Sequence, residues 1–140
     1  MRRLVLPMLA LVAVFAAFAA VSAFGATRVT GPVVKLKTAS LGSVLATSGH
    51  LALYTWNQEK PMKVKCTGSC AKTWPPLTIP HGTMVAKHIA GVMGTFGEVM
   101  RPDGKSQVTY NGHALYTFHG DTATKILCNG VDGWYVVKVH

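Results

Sequence analysis

The stretch Gly49–Trp56 (GHLALYTW) decides the fold, because it returns later in the chain as Gly112–Phe118 (GHALYTF). From the tyrosine of each stretch onward, corresponding residues lie 62 positions apart, and the same offset relates Cys66 to Cys128. A repeated segment of this kind indicates two copies of one structural unit. The duplication also indicates that many of the conspicuous residues are there to build the fold.

Short alternating segments between glycine-containing turns predict β-strands in both copies. The clearest case is Gln107–Tyr110, followed by Asn111-Gly112, a dipeptide that accepts positive φ at both central positions of a two-residue hairpin. His113–Phe118 continues this hairpin, and Pro102–Gly104 supplies an earlier turn. The other predicted elements are strands at Glu98–Arg101, Val33–Thr38, Ser43–Thr47, Leu51–Trp56 and Trp134–Val139, and a short helix at Met84–Ile89.

The predicted fold class is therefore mainly β. We expect two pseudo-repeated antiparallel β-meanders, at about residues 33–77 and 95–139, packed into one small domain so that each covers the apolar face of the other. Little helix is expected beyond the N-terminal segment. Pro75 and Pro76 lack backbone N–H groups, so the segment that contains them is not expected to be a central strand.

Residues 1–23 have the layout of a secretory signal peptide. Arg2 and Arg3 precede the uncharged apolar run Leu4–Ala20, and Val21–Ala23 offers small residues for cleavage. The alternative is an uncleaved membrane anchor, because the run approaches the roughly 18–20 apolar residues that span a bilayer. Alanine richness favours cleavage, so we expect residues 24–140 to form a single exported domain, secreted or periplasmic, without stable membrane insertion. The first cysteine is Cys66, so an N-terminal lipid anchor is not expected.

The distribution of charged residues along the sequence limits which kinds of partner are expected. The chain carries a net charge of +9, but its lysines and arginines are scattered singly rather than gathered in one run. Nucleic-acid surfaces concentrate positive charge on one face, and export also disfavours such a partner. The expected partner is an envelope component or a small ligand.

Three cysteines in an exported chain leave the disulfide pairing open. Cys66 and Cys70 can be joined only if the backbone turns between them. Closing that short loop would stabilise the fold by about 2 kcal/mol, whereas a Cys66–Cys128 bridge would contribute about 4 kcal/mol in the loop-entropy model. Energetics alone therefore favours the long bridge.

Soft side chains between the two copies suggest a possible metal site. His81, Met84 and His88 lie within a few residues of one another, and imidazole and thioether groups suit copper. No haem-attachment motif or zinc spacing is present in the sequence. The alternative is that the methionines pack and the histidines face solvent; no cofactor is expected otherwise.

The repeated aromatic residues and the acids that follow them form a further candidate set. Tyr54 and Trp56 point to one face of their strand. Tyr116 and Phe118 do the same in the second copy. Glu59 and Asp121 follow just past the strand ends, where a carboxylate could accept a tyrosine hydroxyl or backbone donors of the next turn. One interpretation is a buried aromatic pair that a carboxylate secures in each repeat; the other is a pair of ligand clefts.

Several of these segments together resemble a known family. Tyr116–Asp121 fits a Tyr-x-(Phe/Trp/Tyr)-x-x-Asp pattern, and Cys66–Leu77 fits a Cys-x-x-x-Cys-x-x-x-Trp-Pro-Pro-Leu segment that includes Trp74. With the ending Gly133–Val137, which includes Trp134, the chain resembles the bacterial secreted-repeat family of predicted lipoproteins with the Yx(FWY)xxD motif. The resemblance implies an exported small domain and a Cys66–Cys70 disulfide, but no established activity. The chain departs from the pattern in Glu59, where the motif has Asp, and in the presence of Cys128.

Catalysis has little support in the sequence. Ser48-Gly49-His50 and His119-Gly120-Asp121 bring together residue types used in hydrolases, but no strand–turn–helix elbow accompanies them. The chain has five acidic residues in all, which disfavours a paired-carboxylate hydrolase. We therefore expect no enzyme. The expected function is a non-catalytic binding or structural module of the cell envelope, with a copper or other soft-metal binding protein as the alternative.

Overall fold

The computed structural model describes residues 28–29 and 31–140, and the predicted signal peptide at residues 1–23 lies outside them. Short strands account for most of the regular structure, and the one helix among these residues has five residues. None of the helices in the described part is long and apolar enough to cross a membrane. The elements in chain order are β1 (Arg28–Val29), β2 (Val33–Thr38), β3 (Gly42–Thr47), β4 (Tyr54–Trp56), α1 (Ser69–Thr73), β5 (Thr78–Ile79), β6 (Met84–Val85), β7 (Phe96–Met100), β8 (Ser106–Tyr110), β9 (His113–Ala114) and β10 (Trp134–Val136).

Each repeat begins with an antiparallel hairpin. Strand β2 pairs with β3 in the first repeat, and β7 pairs with β8 in the second. The second repeat continues into β9 through Asn111 and Gly112, whose φ angles are 49° and 84°. Both angles are positive, as a two-residue hairpin with this dipeptide requires. The predicted mainly β fold and the predicted turn are therefore confirmed.

The closing segment of each repeat pairs with the central segment of the other repeat. Strand β10 lies antiparallel to β4. In the equivalent place, residues 73–77 run along residues 115–119, and Leu77 N donates to Leu115 O at 2.9 Å. The two repeats meet where Tyr54 N donates to Tyr116 O and Tyr116 N donates to Tyr54 O, at 2.8 and 3.0 Å. The repeats thus exchange strands around an approximate two-fold axis rather than packing as separate units.

Two hydrophobic clusters lie on opposite faces of the central strands. In β3, Val44 belongs to one cluster and Leu45 to the other. Tyr54, the first residue of β4, belongs to the cluster of Val44, and Leu53, which precedes it, belongs to the cluster of Leu45. Successive residues of a strand point to opposite faces, so these strands are buried on both sides. Each cluster draws residues from both repeats, which explains why neither repeat could bury its apolar faces alone.

The predicted helix at Met84–Ile89 is wrong. Met84–Val85 forms β6, which pairs in parallel with β1. Val85 N donates to Glu98 Oε1 at 2.8 Å instead of to a carbonyl of a preceding turn. Glycines with positive φ lie on both sides of the segment, at Gly82 and Gly91, and a helix could not extend through them.

Several predicted strands are shorter in the structure than in the sequence pattern. Regular pairing covers His113–Ala114 of the predicted strand 113–118, and the chain then makes isolated bridges from Tyr116 to Tyr54 and to Pro76. The prolines are accommodated because they pair through carbonyl groups: Pro75 O accepts Thr117 N at 2.9 Å. A proline can accept a hydrogen bond in this way although it cannot donate one.

Candidate functional site

The tyrosine and the acid of the repeated motif are bonded between repeats. Tyr54 Oη donates to Asp121 Oδ2 at 2.6 Å. Tyr116 Oη donates to Glu59 Oε1 at 2.8 Å. All four side chains are buried. The carboxylates accept hydrogen bonds from tyrosine hydroxyls, as the sequence suggested, but each carboxylate bonds the tyrosine of the other repeat instead of the tyrosine of its own.

The same carboxylates also fix the loops that follow them. Glu59 Oε1 accepts Lys65 N at 2.7 Å and Cys66 N at 3.0 Å. In the second repeat, Asp121 Oδ1 accepts Leu127 N at 2.9 Å. Lys65 and Leu127 are 62 positions apart, so the loop anchor is repeated together with the tyrosine bond. Each acid therefore joins a tyrosine of one repeat to a loop of the other.

Burial and these hydrogen bonds keep both tyrosines in the neutral form. Burial, followed by the hydrogen bond to Asp121, raises the pKa of Tyr54 far above its ordinary value. Burial and the hydrogen bond to Glu59 raise the pKa of Tyr116 in the same way. A tyrosine that donates to a carboxylate and resists ionisation is a structural group, and it is a poor proton donor or nucleophile near neutral pH.

The motif aromatics belong to one continuous stack of four rings. Trp74 and Trp134 lie face to face at its centre, with centroids 4.0 Å apart and planes 8° apart. Trp56 stacks on the outer side of Trp134 at 5.2 Å, and Phe118 lies against Trp74 at 4.8 Å. The predicted site residues of the two copies are thus brought together in a single cluster.

The stack obeys the approximate two-fold relation of the fold. Tyr54 meets the edge of Trp74 at 5.2 Å, and Tyr116 meets the edge of Trp134 at 5.1 Å. Edge and offset contacts between aromatic rings each add about 0.5–1.5 kcal/mol beyond area burial. Trp74 and Trp134 correspond to each other although they lie 60 rather than 62 positions apart. That shift hides their equivalence in the sequence.

The disulfide joins Cys66 to Cys70, with Cα atoms 5.2 Å apart. It closes the turn that leads into α1, where Trp74 N donates to Cys70 O at 2.8 Å. The bridge therefore holds the turn that places Trp74 in the stack. The pairing implied by the family resemblance is present, and the longer bridge favoured by loop entropy is not.

Cys128 is a free, half-buried thiol. Burial, followed by the charges of Asp121 and Asp132, raises its pKa above the ordinary value. Asp132 occupies the position 62 residues after Cys70, so the second repeat keeps the first cysteine and lacks the second. A raised pKa lowers the thiolate fraction, so the environment does not activate this thiol.

Sequence reasoning missed a buried polar group beside Glu59. The guanidinium of Arg101 donates to Gln107 Oε1 at 2.6 Å and to Cys66 O at 2.8 Å. Gln107 Nε2 in turn donates to Leu115 O at 2.8 Å. Arg101 ends the predicted strand 98–101, and a single charged residue at such a place carries no signal of burial. In the register of the first hairpin the corresponding residue is Thr38, which is half-buried at the end of β2.

The candidate copper ligands are exposed. His81, Met84 and His88 all lie at the surface of the segment between the repeats. His88 Nδ1 lies 3.3 Å from Gly94 O. Within residues 28–29 and 31–140, no group of three or more His, Cys, Asp or Glu side chains is placed to share a metal ion.

One surface groove has a marked aromatic character, and we name it the aromatic groove. Its volume is about 370 Å³. Its lining includes Tyr110 and Tyr135. Trp56 also borders it, although its ring stacks on Trp134, on the face of the β10–β4 pair opposite Tyr135. Polar groups of Thr55, Asn57, Asn111 and His113 complete the lining, together with Val137 of the core.

Strand pairing and one turn position the aromatic groove. Tyr135 lies opposite Thr55 in the β10–β4 pair, and neighbouring residues across a pair share a face. Tyr110 and His113 face each other across the turn at Asn111-Gly112. Tyr135 is 49 % exposed, so its ring is available to a ligand.

The comparison with known families agrees with this architecture. The family model Lipoprotein_15, described as a secreted repeat of unknown function, matches twice, at residues 35–78 and 97–138. The two matches correspond closely to the predicted repeats and to the two halves of the fold. No curated protein and no solved structure matches the chain. Because the two matches cover more than half of its length, the chain belongs to this family of secreted repeats and is an exported protein of unspecified activity.

Proposed function

We propose that this protein is a non-catalytic binding module of the bacterial cell envelope, periplasmic or extracellular, and that its ligand site is the aromatic groove. The exported domain comprises residues 24–140, after removal of a signal peptide at residues 1–23. The two repeats form the scaffold, and the groove lies on its surface beside the β10–β4 pair.

The observation that carries the proposal is the absence of two groove rings from the equivalent place in the other repeat. Pro75 occupies the position of Tyr135, since both lie opposite the threonine that follows the motif tyrosine. Thr47 ends β3 and pairs with Val33, the first residue of β2, just as Tyr110 ends β8 and pairs with Phe96, the first residue of β7, so Thr47 corresponds to Tyr110. The first repeat is therefore built with proline and threonine at these positions. Tyr110 packs against Phe96, with ring centroids 5.1 Å apart, and donates to Met93 O. Tyr135 is exposed and its side chain makes no hydrogen bond among the described residues, so this tyrosine needs another explanation. Exposed aromatic rings around a concave surface are typical of ligand sites.

The arrangement of potential catalytic groups supports a non-catalytic role. Asp121 is already bonded to Tyr54. His119 Nδ1 lies 3.2 Å from Thr73 O, and this contact separates the histidine from a dyad with Asp121. The hydroxyls of Tyr54 and Tyr116 are committed to carboxylates. Each of these groups stabilises the fold where a hydrolase would keep it free for substrate.

The experiment is an amide NMR screen of the exported, isotope-labelled protein. The probes are indole, benzyl alcohol, N-acetylglucosamine and tetra-alanine, each titrated separately. At least one probe is expected to shift the resonances of Thr55, Asn57 and His113 in a saturable way, and Tyr135→Ala is expected to weaken that binding. If every probe leaves the aromatic groove unshifted, or if shifts occur equally in Tyr135→Ala, the groove is not a ligand site.

Soft-metal binding is the second candidate, because the methionines of the inter-repeat segment do not pack. Met84 is 48 % exposed and Met93 is 75 % exposed. Exposed thioethers are available to Cu(I), which favours soft ligands. Anaerobic titration with Cu(I) tests this function: a stoichiometric metal lost in a His81→Ala, Met84→Leu double variant would support it, and no retained copper would refute it.

A further inference from the structure

We infer that the ligand of the aromatic groove is a neutral glycan, recognised through ring stacking on Tyr135 and hydrogen bonds from the polar rim. This inference rests on the proposed binding function and adds the chemical class of the ligand. It follows from three properties of the groove: the kinds of group that line it, its lack of charge and its shape.

The first property is the combination of aromatic rings with neutral polar groups. A sugar ring presents an apolar face of C–H groups and an edge of hydroxyls. Aromatic rings offer apolar area together with a negative π face that attracts polarised C–H groups. Amide, hydroxyl and imidazole groups both donate and accept hydrogen bonds, which suits hydroxyls that also do both. The groove supplies the rings through Tyr110 and Tyr135, and the polar edge through Asn57 and Thr55.

The polar rim is free to bond a ligand. Asn111 uses Oδ1 to accept Thr95 N at 2.9 Å, which holds the side chain in place. Its amide nitrogen has no hydrogen-bond partner within the part of the chain that the structure describes, and it remains available as a donor. A polar group fixed by one bond and free at the other end loses little entropy when it binds.

The second property is the absence of charge. The chain has 14 lysines and arginines against five acids, yet no lysine, arginine, aspartate or glutamate is among the residues that line the groove. A site for an anionic polymer or a phosphate would be expected to use some of the available lysines. The groove therefore fits a neutral ligand, and recognition depends on shape, stacking and hydrogen bonds.

The third property is openness combined with a small volume. About 370 Å³ lies near the lower end of the roughly 300–1,000 Å³ typical of ligand pockets. Tyr135 is half-exposed at the side, so the groove does not enclose its occupant. These dimensions suit a short segment of a longer ligand chain. Envelope glycans offer such segments to an exported protein.

The test is a titration of the exported protein with oligosaccharides of defined charge. The neutral probes are chitotetraose, cellotetraose and maltotetraose; oligogalacturonate is the anionic probe, and tetra-alanine represents a peptide. We expect at least one neutral oligosaccharide to bind in a saturable way, with amide shifts at Thr55, Asn57 and His113. Tyr135→Ala should weaken that binding by about tenfold, which corresponds to the loss of one aromatic contact.

Two further variants separate ring stacking from other causes. Tyr135→Phe retains the ring and is expected to bind within about twofold of the parent. Leu127→Ala removes a comparably exposed apolar side chain from a different surface and is expected to leave binding unchanged. A thermal unfolding curve for each variant shows whether the fold is retained.

Each contrary result has a definite meaning. If tetra-alanine or an aromatic probe binds the groove and no neutral oligosaccharide does, the glycan inference is wrong while the binding function stands. If nothing binds, both are wrong. If oligogalacturonate binds as well as the neutral probes and Tyr135→Ala does not affect it, surface charge rather than stacking drives association, and the inference is also overturned.

Discussion

Replacing each motif tyrosine by phenylalanine should destabilise the fold by unequal amounts. Tyr54→Phe and Tyr116→Phe both remove one buried hydroxyl and keep the ring in the aromatic cluster. The carboxylate that is left behind differs between the two variants. Asp121 Oδ2 accepts no hydrogen bond other than that of Tyr54 among the described residues. Glu59 Oε1 keeps its bonds from Lys65 N and Cys66 N.

The remaining donors set the magnitudes. A hydrogen bond to a charged group contributes about 1.5–3 kcal/mol, and a buried acceptor left without a donor loses the full cost of desolvation. Tyr54→Phe should therefore lower the free energy of unfolding by about 2–3 kcal/mol. Tyr116→Phe should lower it by about 1 kcal/mol, because two backbone donors still satisfy the same oxygen of Glu59.

Urea unfolding of the oxidised protein measures this difference. Fluorescence and far-UV circular dichroism should give coincident transitions, as a single cooperative unit requires. Tyr135→Phe is the matched control: it removes a hydroxyl from a half-exposed ring and should change stability by less than about 0.5 kcal/mol. Equal losses in the two buried variants, or a larger loss in Tyr116→Phe, would show that the asymmetry in hydrogen bonding does not determine their stability.

Three other expectations follow from the same contacts. The contribution of Tyr54 and Tyr116 to stability should be fully present below about pH 10, where the tyrosines of the unfolded chain are protonated. Above that pH the free energy of unfolding should fall by about 1.4 kcal/mol per pH unit for each of the two, because their pKa values are raised on folding. Urea unfolding at increasing pH measures this slope, and an unchanged slope in Tyr54→Phe would contradict the assignment. Cys70→Ser should lower the free energy of unfolding by about 2 kcal/mol, because the bridge closes a short loop. The parent under reducing conditions is the comparison, and a loss above about 4 kcal/mol would contradict loop closure as the source of the stabilisation. Trp134→Ala removes a buried ring from the centre of the stack and should destabilise by about 3–5 kcal/mol, whereas a loss below about 1 kcal/mol in thermal or urea unfolding would show that the stack is dispensable.

The sequence predicted the features that have a short period or a fixed offset. The hairpin at Asn111-Gly112 was predictable because glycine and asparagine are the residues that tolerate positive φ there. The tyrosine–carboxylate contacts were predictable in kind because both residue types recur together. Their exchange between repeats was not, because repetition alone does not say whether a unit bonds to itself or to its copy.

Other features depend on neighbours that are distant in the sequence. Met84–Ile89 carries a pattern compatible with a helix, but the backbone of Val85 is held by Glu98 from another strand. The burial of Arg101 depends on Cys66 and Gln107, which the pattern around residue 101 does not reveal. Tertiary contacts of this kind override local propensity. The aromatic groove was missed for the same reason, since Tyr110 and Tyr135 converge only after the repeats exchange strands.

The differences between the repeats fall into two physical classes, and the distinction bears on where function lies. One class is buried and hydrogen-bonded to other parts of the fold. Glu59 replaces the aspartate of the motif, and its neighbourhood contains Arg101 and the Cys66–Cys70 turn, to which Arg101 is bonded. Glu59 Oε1 accepts hydrogen bonds from Tyr116, Lys65 and Cys66. These differences lie inside the domain and bond its segments to one another, so they serve the fold.

The other class is exposed and has no structural counterpart. Tyr135 is half-exposed where the equivalent residue is Pro75, and no hydrogen bond of its side chain within the described chain accounts for a tyrosine. Folding gains little from an exposed ring, because the contact area it removes from water is small. A residue that contributes little to stability, and that the duplicated copy of the same fold replaces by proline, can be retained for binding. On this argument the two-fold relation of the repeats serves as an internal control: it separates the residues that build the domain from those that face a ligand.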